Sequence, residues 1–586
     1  MKILVCMKQV VETESAKMGD GFVIDRSKSP FTVNAADCAA LEQALLIKEK
    51  YGAEITVMTM GPESAENILR EAAALDVDNL VLLTDRKFAG SDTLSTSRIL
   101  ARAAKYLGGF DLIFMGRRAI DGETGHVGPE VAVMLEAVCV TNVTDTRISE
   151  DGSIWCKRLT ESKEAELKLP CPAVVTICGG ANKLRPAGIL GMRKAKTAVI
   201  NRLTNEELGI DVSTIGLHGS PTCVKGLVTP EHEPKHPRWI ENAEEGADVI
   251  IETVLSMKKE TAMKRVCVIS ERPEGKHAVC ILEDDPDSLA AGIELLTHCR
   301  NSCCDTAAVL AGEGKEETIQ AIKDGGAQEI YVVKTSEKAD DMFIAKAIAE
   351  AIKPLGLKSM VFAATVRGRA VAPMLAAICE LGITADCTEI KYEPDGTLRQ
   401  IRPTFGGTKL AEIISKTEPQ LATVRPGVYP LPEEKYNDCE AVHEIVIEGS
   451  GKIETLVEKE FLESSISEAE GIFSGGKVLS KEDFADLKKI AEKYGYAVGA
   501  SRAAVDLGNI EFSAQVGQTG TVVRPEVYIA LGISGAIQHI AGMKDAGFVI
   551  TVNPDKKAPI YDYSDIGILC DYREVMDIIM QKSNLQ

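Results

Sequence analysis

The strongest constraint on this chain is an internal repeat at an offset of about 250 residues. EITVMTMG (54–61), ESAENILREAAAL (63–75) and NLVLLTD (79–85) return as DTAAVLAG, EETIQAIKDG and EIYVVKT from residue 305 onward. DLIFMG followed by GPEVAVMLEAVCVTNVTD (128–145) returns as SMVFAAT followed by RAVAPMLAAICELGITADCT (369–388). Short, continuously apolar strands alternating with helices are the pattern of a parallel sheet covered on both faces. Two homologous α/β domains are therefore expected, related by a pseudo-twofold axis inside one chain.

The copies differ where a strand end would face a ligand. After DLIFMG the first copy has a glycine-rich loop, GRRAIDGETGHVGPE (Gly116 to Glu130), and the second has only TVRGRAVAP (Thr365 to Pro373). A phosphate-cradling loop in one copy alone implies one nucleotide site. GSDTLSTS (Gly90 to Ser97) supplies a hydroxyl-rich helix start that would face the same strand ends. His126, inside the long loop, reads as a solvated residue.

Past residue 455 a separate set of alternating elements carries three glycine-rich turns, GASRAAVD (499–506), VGQTG (516–520) and YIALGISGAIQHIAG (528–542). Such turns bring backbone N–H groups against phosphate oxygens, and Arg502, Thr519, Ser534, Gln538 and His539 are the polar groups they would present. Together they point to a phosphorylated, redox-active ring.

At 586 residues the chain exceeds a single core. Its net charge of -21 argues against nucleic acid or an anionic membrane as the main partner. No apolar run reaches transmembrane length and MKILVCMKQV already reads as a strand, so a cytoplasmic location is expected. The 16 cysteines are scattered, and the one cluster, His298, Cys299, Cys303 and Cys304, lacks metal-ligand spacing. No metal is expected.

VYIALGISGAIQHIAGMKDAGFVITVN (527–553) resembles the α subunit of electron transfer flavoproteins, and the N-terminal half resembles their β subunit. The resemblance implies both subunits fused β then α, a pseudo-heterodimer in one chain. The implied fold is two homologous parallel-sheet, adenine-nucleotide-binding-like domains plus a flavodoxin-like or Rossmann-like FAD domain. Boundaries are expected as 1–222, an extended arm or linker over 223–263, 264–454, and 455–586, with an acidic hinge near 445–459.

The resemblance further implies FAD in the last domain, held by Gly475, Gly476, Lys477, Ser501, Arg502, Gln515, Val516, Gly517, Gln518, Thr519, Ser534, Gly535, Ala536, Gln538, His539, Asn553 and Asp571. Arg502, Thr519 and His539 are the expected tuning groups, with Arg502 and His539 beside the ring as cation and donor. Lys477 stands where the family usually has Arg, which removes the planar fork.

Around the second nucleotide it places Cys6, Asn34, Asp37, Asp92, Thr93, Thr96, Asp121, Thr124, Val127 and Gly128, with Arg402 as the cation near a ring. IDGETGHVGPE looks closest to the bifurcating, NADH-oxidising branch, which favours FAD over AMP, although Arg118, Gly125 and His126 depart from that branch. NKLRPAGILGMRKAK (182–196) matches the loop that docks on acyl-CoA dehydrogenases, with Ile189 or Leu190 as anchor and Arg193, Lys194 and Lys196 flanking it. Ferredoxin or flavodoxin are further partners to expect. The alternatives are an NADH:acceptor flavin oxidoreductase acting without a docked dehydrogenase, and a nucleotide-sensing module.

Overall fold

The structure, a computed structural model, describes residues 1–11, 31–228, 234–257, 272–282, 286–335, 339–404, 409–432, 434–460, 466, 469–517 and 520–583. These fall into two compact units, one built from the two repeated halves through Glu460 and one from the last domain together with residues 234–257.

In the first unit the strand Lys2–Cys6 pairs in parallel with Glu54–Met60 on one side and Leu112–Gly116 on the other. Ile3, Leu4 and Val5 are buried, as a strand covered on both faces by helices requires. The parallel strands run in the spatial order Asn201–Leu203, Asn79–Leu83, Glu54–Met60, Lys2–Cys6, Leu112–Gly116, Ala173–Ile177, Val138–Ile148. The second copy has the same order, Ala441–Val446, Glu329–Lys334, Asp305–Gly312, Lys276–Leu282, Ser359–Ala363, Gln420–Val424, Ile383–Cys387. The repeat read in the sequence is thus a repeat of topology. Even the left-handed backbone at Glu136 and Asn142 recurs at Glu380 and Asp386.

Each copy ends in an antiparallel ribbon, and each ribbon is completed by the other half. Glu454–Glu460 pairs with Lys163–Leu169 of the first copy, and Thr222–Val228 pairs with Lys409–Ser415 of the second. The segment expected as a hinge is accordingly ordered on both sides. Ala441–Val446 is the edge strand of its own sheet and Glu454–Glu460 an edge strand of the other. The latter is exposed along its length, and its charged side chains suit an edge in water.

A single apolar core spans the two halves, joining Ile99, Val131 and Ala132 to Ala370, Met374 and Leu375. At its centre the helix Val127–Leu135 packs on the helix Gly368–Cys379. A Cβ at Gly368 would stand 1.9 Å from the carbonyl oxygen of Ala363, so only glycine lets this second helix start so close to its strand.

The other unit is a six-stranded parallel sheet in the order Arg238–Ile240, Ile566–Ile568, Phe548–Val552, Val527–Leu531, Gly471–Gly475, Ala497–Ala500. Without its first strand this is the flavodoxin order 2-1-3-4-5. The arm expected over 223–263 is corrected here. Arg238–Ile240 adds the sixth strand, and the helix Ala243–Met257 buries Ala247, Ile250 and Val254, a helical spacing, in the same core.

Cys299 and Cys303 are buried and Cys304 is exposed. Among the described residues no group of His, Cys, Asp or Glu could hold a metal ion, and no helix is long and apolar enough to cross a membrane.

One buried ion triad clasps the halves. Asp341 receives Arg367 Nε at 3.0 Å from its own half and lies 2.9 Å from Arg158 Nη2 of the other. Burial raises the carboxyl's pKa, but the two guanidinium groups outweigh it and hold the group below its ordinary range. The clasp therefore stabilises the fold above the unfolded carboxyl's pKa and is lost as the pH falls below it. Asp341→Ala should take from Arg158 and Arg367 the carboxylate they share across the halves and lower unfolding free energy by about 3–5 kcal/mol at neutral pH, measured by urea denaturation.

Candidate functional sites

In the first copy the strand order reverses between Lys2–Cys6 and Leu112–Gly116, so the crevice beyond their carboxyl ends is the place for a ligand. Asp37, in the first turn of the helix Ala35–Tyr51, ties this crevice together. Its carboxylate accepts from Lys8 N at 2.7 Å and from Gly116 N and Asn34 Nδ2, both at 3.0 Å. A Cβ on Gly116 would stand 2.3 Å from Asp37 Oδ1, which explains the glycine. Burial pushes Asp37 up to about 6 against these donors. Asp37 is thus the support of the crevice, its oxygens already taken by three segments.

Asn34 also donates to Arg118 O at 3.1 Å, while its Oδ1 is buried with no hydrogen-bond partner among the described residues. Burial and the Asp37 carboxylate push the Cys6 thiol up, so it stays protonated. Lys8 Nζ donates to Asp121 Oδ1 at 2.8 Å, and Gly122 N donates to the same oxygen at 2.7 Å, which fixes the start of the loop.

Asp92 caps the helix Thr93–Tyr106 through Ser95 N at 3.0 Å, and its other oxygen accepts from Thr222 N and Oγ1. Thr93 gives its hydroxyl to Glu130 at 2.9 Å, and Ser97 gives its own at 2.7 Å. Thr96, Thr124 and Val127 are half-buried. Gly128 is required, since a Cβ would meet Thr176 Cγ2 at 2.4 Å.

Three groups escaped the sequence reading. Glu130 is fully buried and pushed up to about 8, chiefly by burial, so its carboxyl keeps its proton at neutral pH. An acid inside the apolar helix VGPEVAVML was the available signal. His126 is not solvated but wholly buried, and neither ring nitrogen has a hydrogen-bond partner among the described residues. Asp386 receives both Arg369 and Arg425, at 2.7 and 2.6 Å. Arg402 lies beside this set, 3% exposed, and its Nε and Nη2 have no hydrogen-bond partner among the described residues.

In the last domain the order reverses between Gly471–Gly475 and Val527–Leu531. Gly476 N donates to Leu531 O at 2.8 Å, and a Cβ there would stand 2.0 Å from Gly532 O. Gly532 and Gly535 take φ of 63° and 89°, open to glycine at little cost. Ser501 N donates to Gly475 O at 2.9 Å, yet Ser501 Oγ is buried with no partner among the described residues.

Lys477, Arg502, Ser534 and Ala536 are exposed around this edge. Arg502 Nε lies 3.4 Å from Asp506 Oδ2 on a side chain 63% exposed. Val478, Leu507 and Ile537 also stay in water on the loops and short helices that follow the strands, apolar surface that a flat ring can cover. An orphaned hydroxyl, glycines with no room for a Cβ and exposed apolar side chains fit a dinucleotide with a planar ring.

Other expected contacts are placed differently. Gln515 and Val516 are buried, with Val516 N donating to Ala500 O at 2.9 Å. Gly517 packs close to Gln538, where a Cβ would meet the carbonyl oxygen at 2.9 Å, and Gln538 is half-buried. Gln518 and Thr519 lie outside the described residues.

His539, expected as a donor beside the ring, is buried and spends both ring nitrogens inside the domain. Burial pushes it down to about 4, and its nitrogens meet Val516 O at 3.1 Å and Tyr528 Oη at 2.9 Å. Asn553 donates to Ile533 O at 2.9 Å and accepts from Asp555 N at 2.9 Å, bracing a turn. Asp571 caps the last helix through Arg573 N.

The family described as electron transfer flavoprotein domain matches residues 21–208 and 287–455, and that described as electron transfer flavoprotein FAD-binding domain matches 465–544. The electron transfer flavoprotein subunit alpha of Thermoanaerobacterium thermosaccharolyticum is 37% identical over 285 residues, 47% of this chain and 86% of that protein. The electron transfer flavoprotein subunit beta of Clostridium acetobutylicum is 38% identical over 233 residues, covering 39% and 89%. Protein FixA of Bradyrhizobium diazoefficiens is 36% identical over 262 residues, covering 43% and 91%. The FAD-binding match falls on the very edge that carries Gly476, Ser501 and Gly535, and the chain belongs to the electron transfer flavoproteins, with both subunit types fused in one polypeptide.

Proposed function

We propose that this electron transfer flavoprotein holds a second FAD in its first domain, takes electrons from NADH there, and delivers them to a dehydrogenase of the acyl-CoA type or to a small redox protein such as ferredoxin or flavodoxin. The observation that carries this reading is the buried pair of unsatisfied groups, His126 and Arg402, beside the loop that only the first copy has. A monophosphate nucleotide in the crevice of Asp37 and Asp121 leaves no evident use for a buried guanidinium contributed by the other half.

Bound FAD supplies the electron-carrying chemistry; the protein's part is to hold and tune it. Asp121 and Thr124 shape the phosphate loop, and Asp37 pins it to both strands of the reversal. In the last domain Ser501 and the glycine turns cradle the dinucleotide, and Arg502 is the cation free to approach its ring. Burial holds His539 in its neutral form despite the Val516 carbonyl, and Tyr528 and Val516 fix its orientation, so positive charge at this edge comes from Arg502 and Lys477.

A partner surface is supported by the helix Ile189–Thr197. Gly191 sits so close to the preceding layer that a Cβ would be 2.0 Å from Ala74 O, and Ala195 is buried. That anchoring turns Ile189, Leu190 and Met192 into water at 71%, 80% and 50% exposure, with Arg193, Lys194 and Lys196 around them. An apolar tip ringed by positive charge on an acidic protein suits docking to a complementary redox partner. The NADH:acceptor alternative gains nothing from such a surface.

Denaturing the chain and counting its nucleotides tests the central point: two FAD and no AMP are expected, and one FAD with one AMP overturns the reading. Asp121→Ala with Thr124→Ala should remove one flavin and all reduction by NADH, while the remaining flavin still accepts electrons from dithionite. Arg502→Ala should keep flavin content and lower the first reduction potential on the order of 65 mV, the equivalent of one weak charge-assisted hydrogen bond, read by stepwise spectroelectrochemical titration. Leu190→Ala should slow electron delivery to a partner dehydrogenase about tenfold, with flavin content and unfolding midpoint unchanged, in stopped-flow mixing.

A further inference from the structure

His126 has no ordinary structural role. It is wholly buried at the start of the helix Val127–Leu135, follows Gly125 at φ 72°, and neither imidazole nitrogen has a hydrogen-bond partner among the described residues. Two unsatisfied ring nitrogens in a folded interior are costly unless something absent from the chain itself meets them. Arg402, close enough to act on His126 electrostatically, has the same defect at Nε and Nη2. Asp386, which accepts from Arg369 and Arg425, and Glu123 are near enough to act on Arg402 electrostatically, but neither hydrogen-bonds its Nε or Nη2.

We propose that His126 is a positioning residue which, together with Arg402, grips the hydrogen-bonding edge of the isoalloxazine ring of the first-domain nucleotide. This rests on the reading above that the nucleotide is FAD. Arg402 offers two parallel N–H donors and needs two acceptors. Burial, with Arg402 and Arg369 nearby, pushes His126 down to about 3, so at working pH the ring carries one donor and one acceptor. The acceptor nitrogen needs an N–H from the ligand. A phosphate dianion has none, and adenine's one N–H donor, its amino group, has its neighbouring acceptors N1 and N7 on two different edges. The pyrimidine edge of a flavin sets its donor between two acceptors, carbonyl, N–H, carbonyl. His126 thus selects for the ring that distinguishes FAD from AMP, while the phosphate loop beside it serves the part the two share.

The test uses the full-length chain, with the C-terminal FAD in place and the first-domain nucleotide removed, titrated with FAD and with AMP. His126→Leu should weaken FAD binding about 10- to 100-fold, the loss of one or two hydrogen bonds, and leave AMP binding unchanged. His126→Gln, which keeps a donor and an acceptor, should restore most of the FAD affinity. Without nucleotide, His126→Leu should match or exceed the wild type in urea midpoint, because an apolar side chain replaces unsatisfied polar atoms. Equal losses for FAD and AMP, undiminished FAD affinity, or a destabilised nucleotide-free chain would each overturn the proposal. A wild type with two FAD and no effect of His126 sinks this inference alone, whereas one FAD and one AMP sinks the reading beneath it.

Discussion

The two halves of the first unit share one core through the packing of the helix Val127–Leu135 against the helix Gly368–Cys379. It merges two cores into one, and each helix begins where its half's ligand-facing loop ends. Separating them would expose apolar surface from both copies and part His126 from Arg402 at the same time. Burial area and site geometry are therefore set by the same pair of helices, which meet through buried small side chains such as Ala132 and Ala370.

The sequence repeats made the topology legible because strand order follows from which apolar runs alternate with helices, and both copies obey it. The reversal points were legible too, since Gly116 and Gly476 stand where a side chain would strike backbone or a neighbouring carboxylate, and Gly532 takes a left-handed φ of 63°. What composition hid was the role of 223–263. Its Pro, His and Glu suggest an arm, but RWI and the spacing of Ala247, Ile250 and Val254 carried the strand and helix all along.

The site was legible in outline and misread in particulars. Asp37, Asp92 and Thr93 lie at helix starts and Asn553 follows a strand, and each spends polar groups on the protein itself. Such second partners come from distant segments, as with Thr222 on Asp92, and local sequence cannot announce them. The burial of His126 is of the same kind, because the ribbon that brings Arg402 belongs to the other copy.

The exchanged strands carry a consequence for assembly. Thr222–Val228 and Glu454–Glu460 each finish a ribbon in the opposite half, so either half made alone would present a bare ribbon edge and lack one of its own strands. As separate polypeptides the halves would form the shared crevice only as far as mass action allowed. Joined in one chain, they meet at an effective concentration on the order of millimolar, and completion of the crevice no longer depends on how much protein is made.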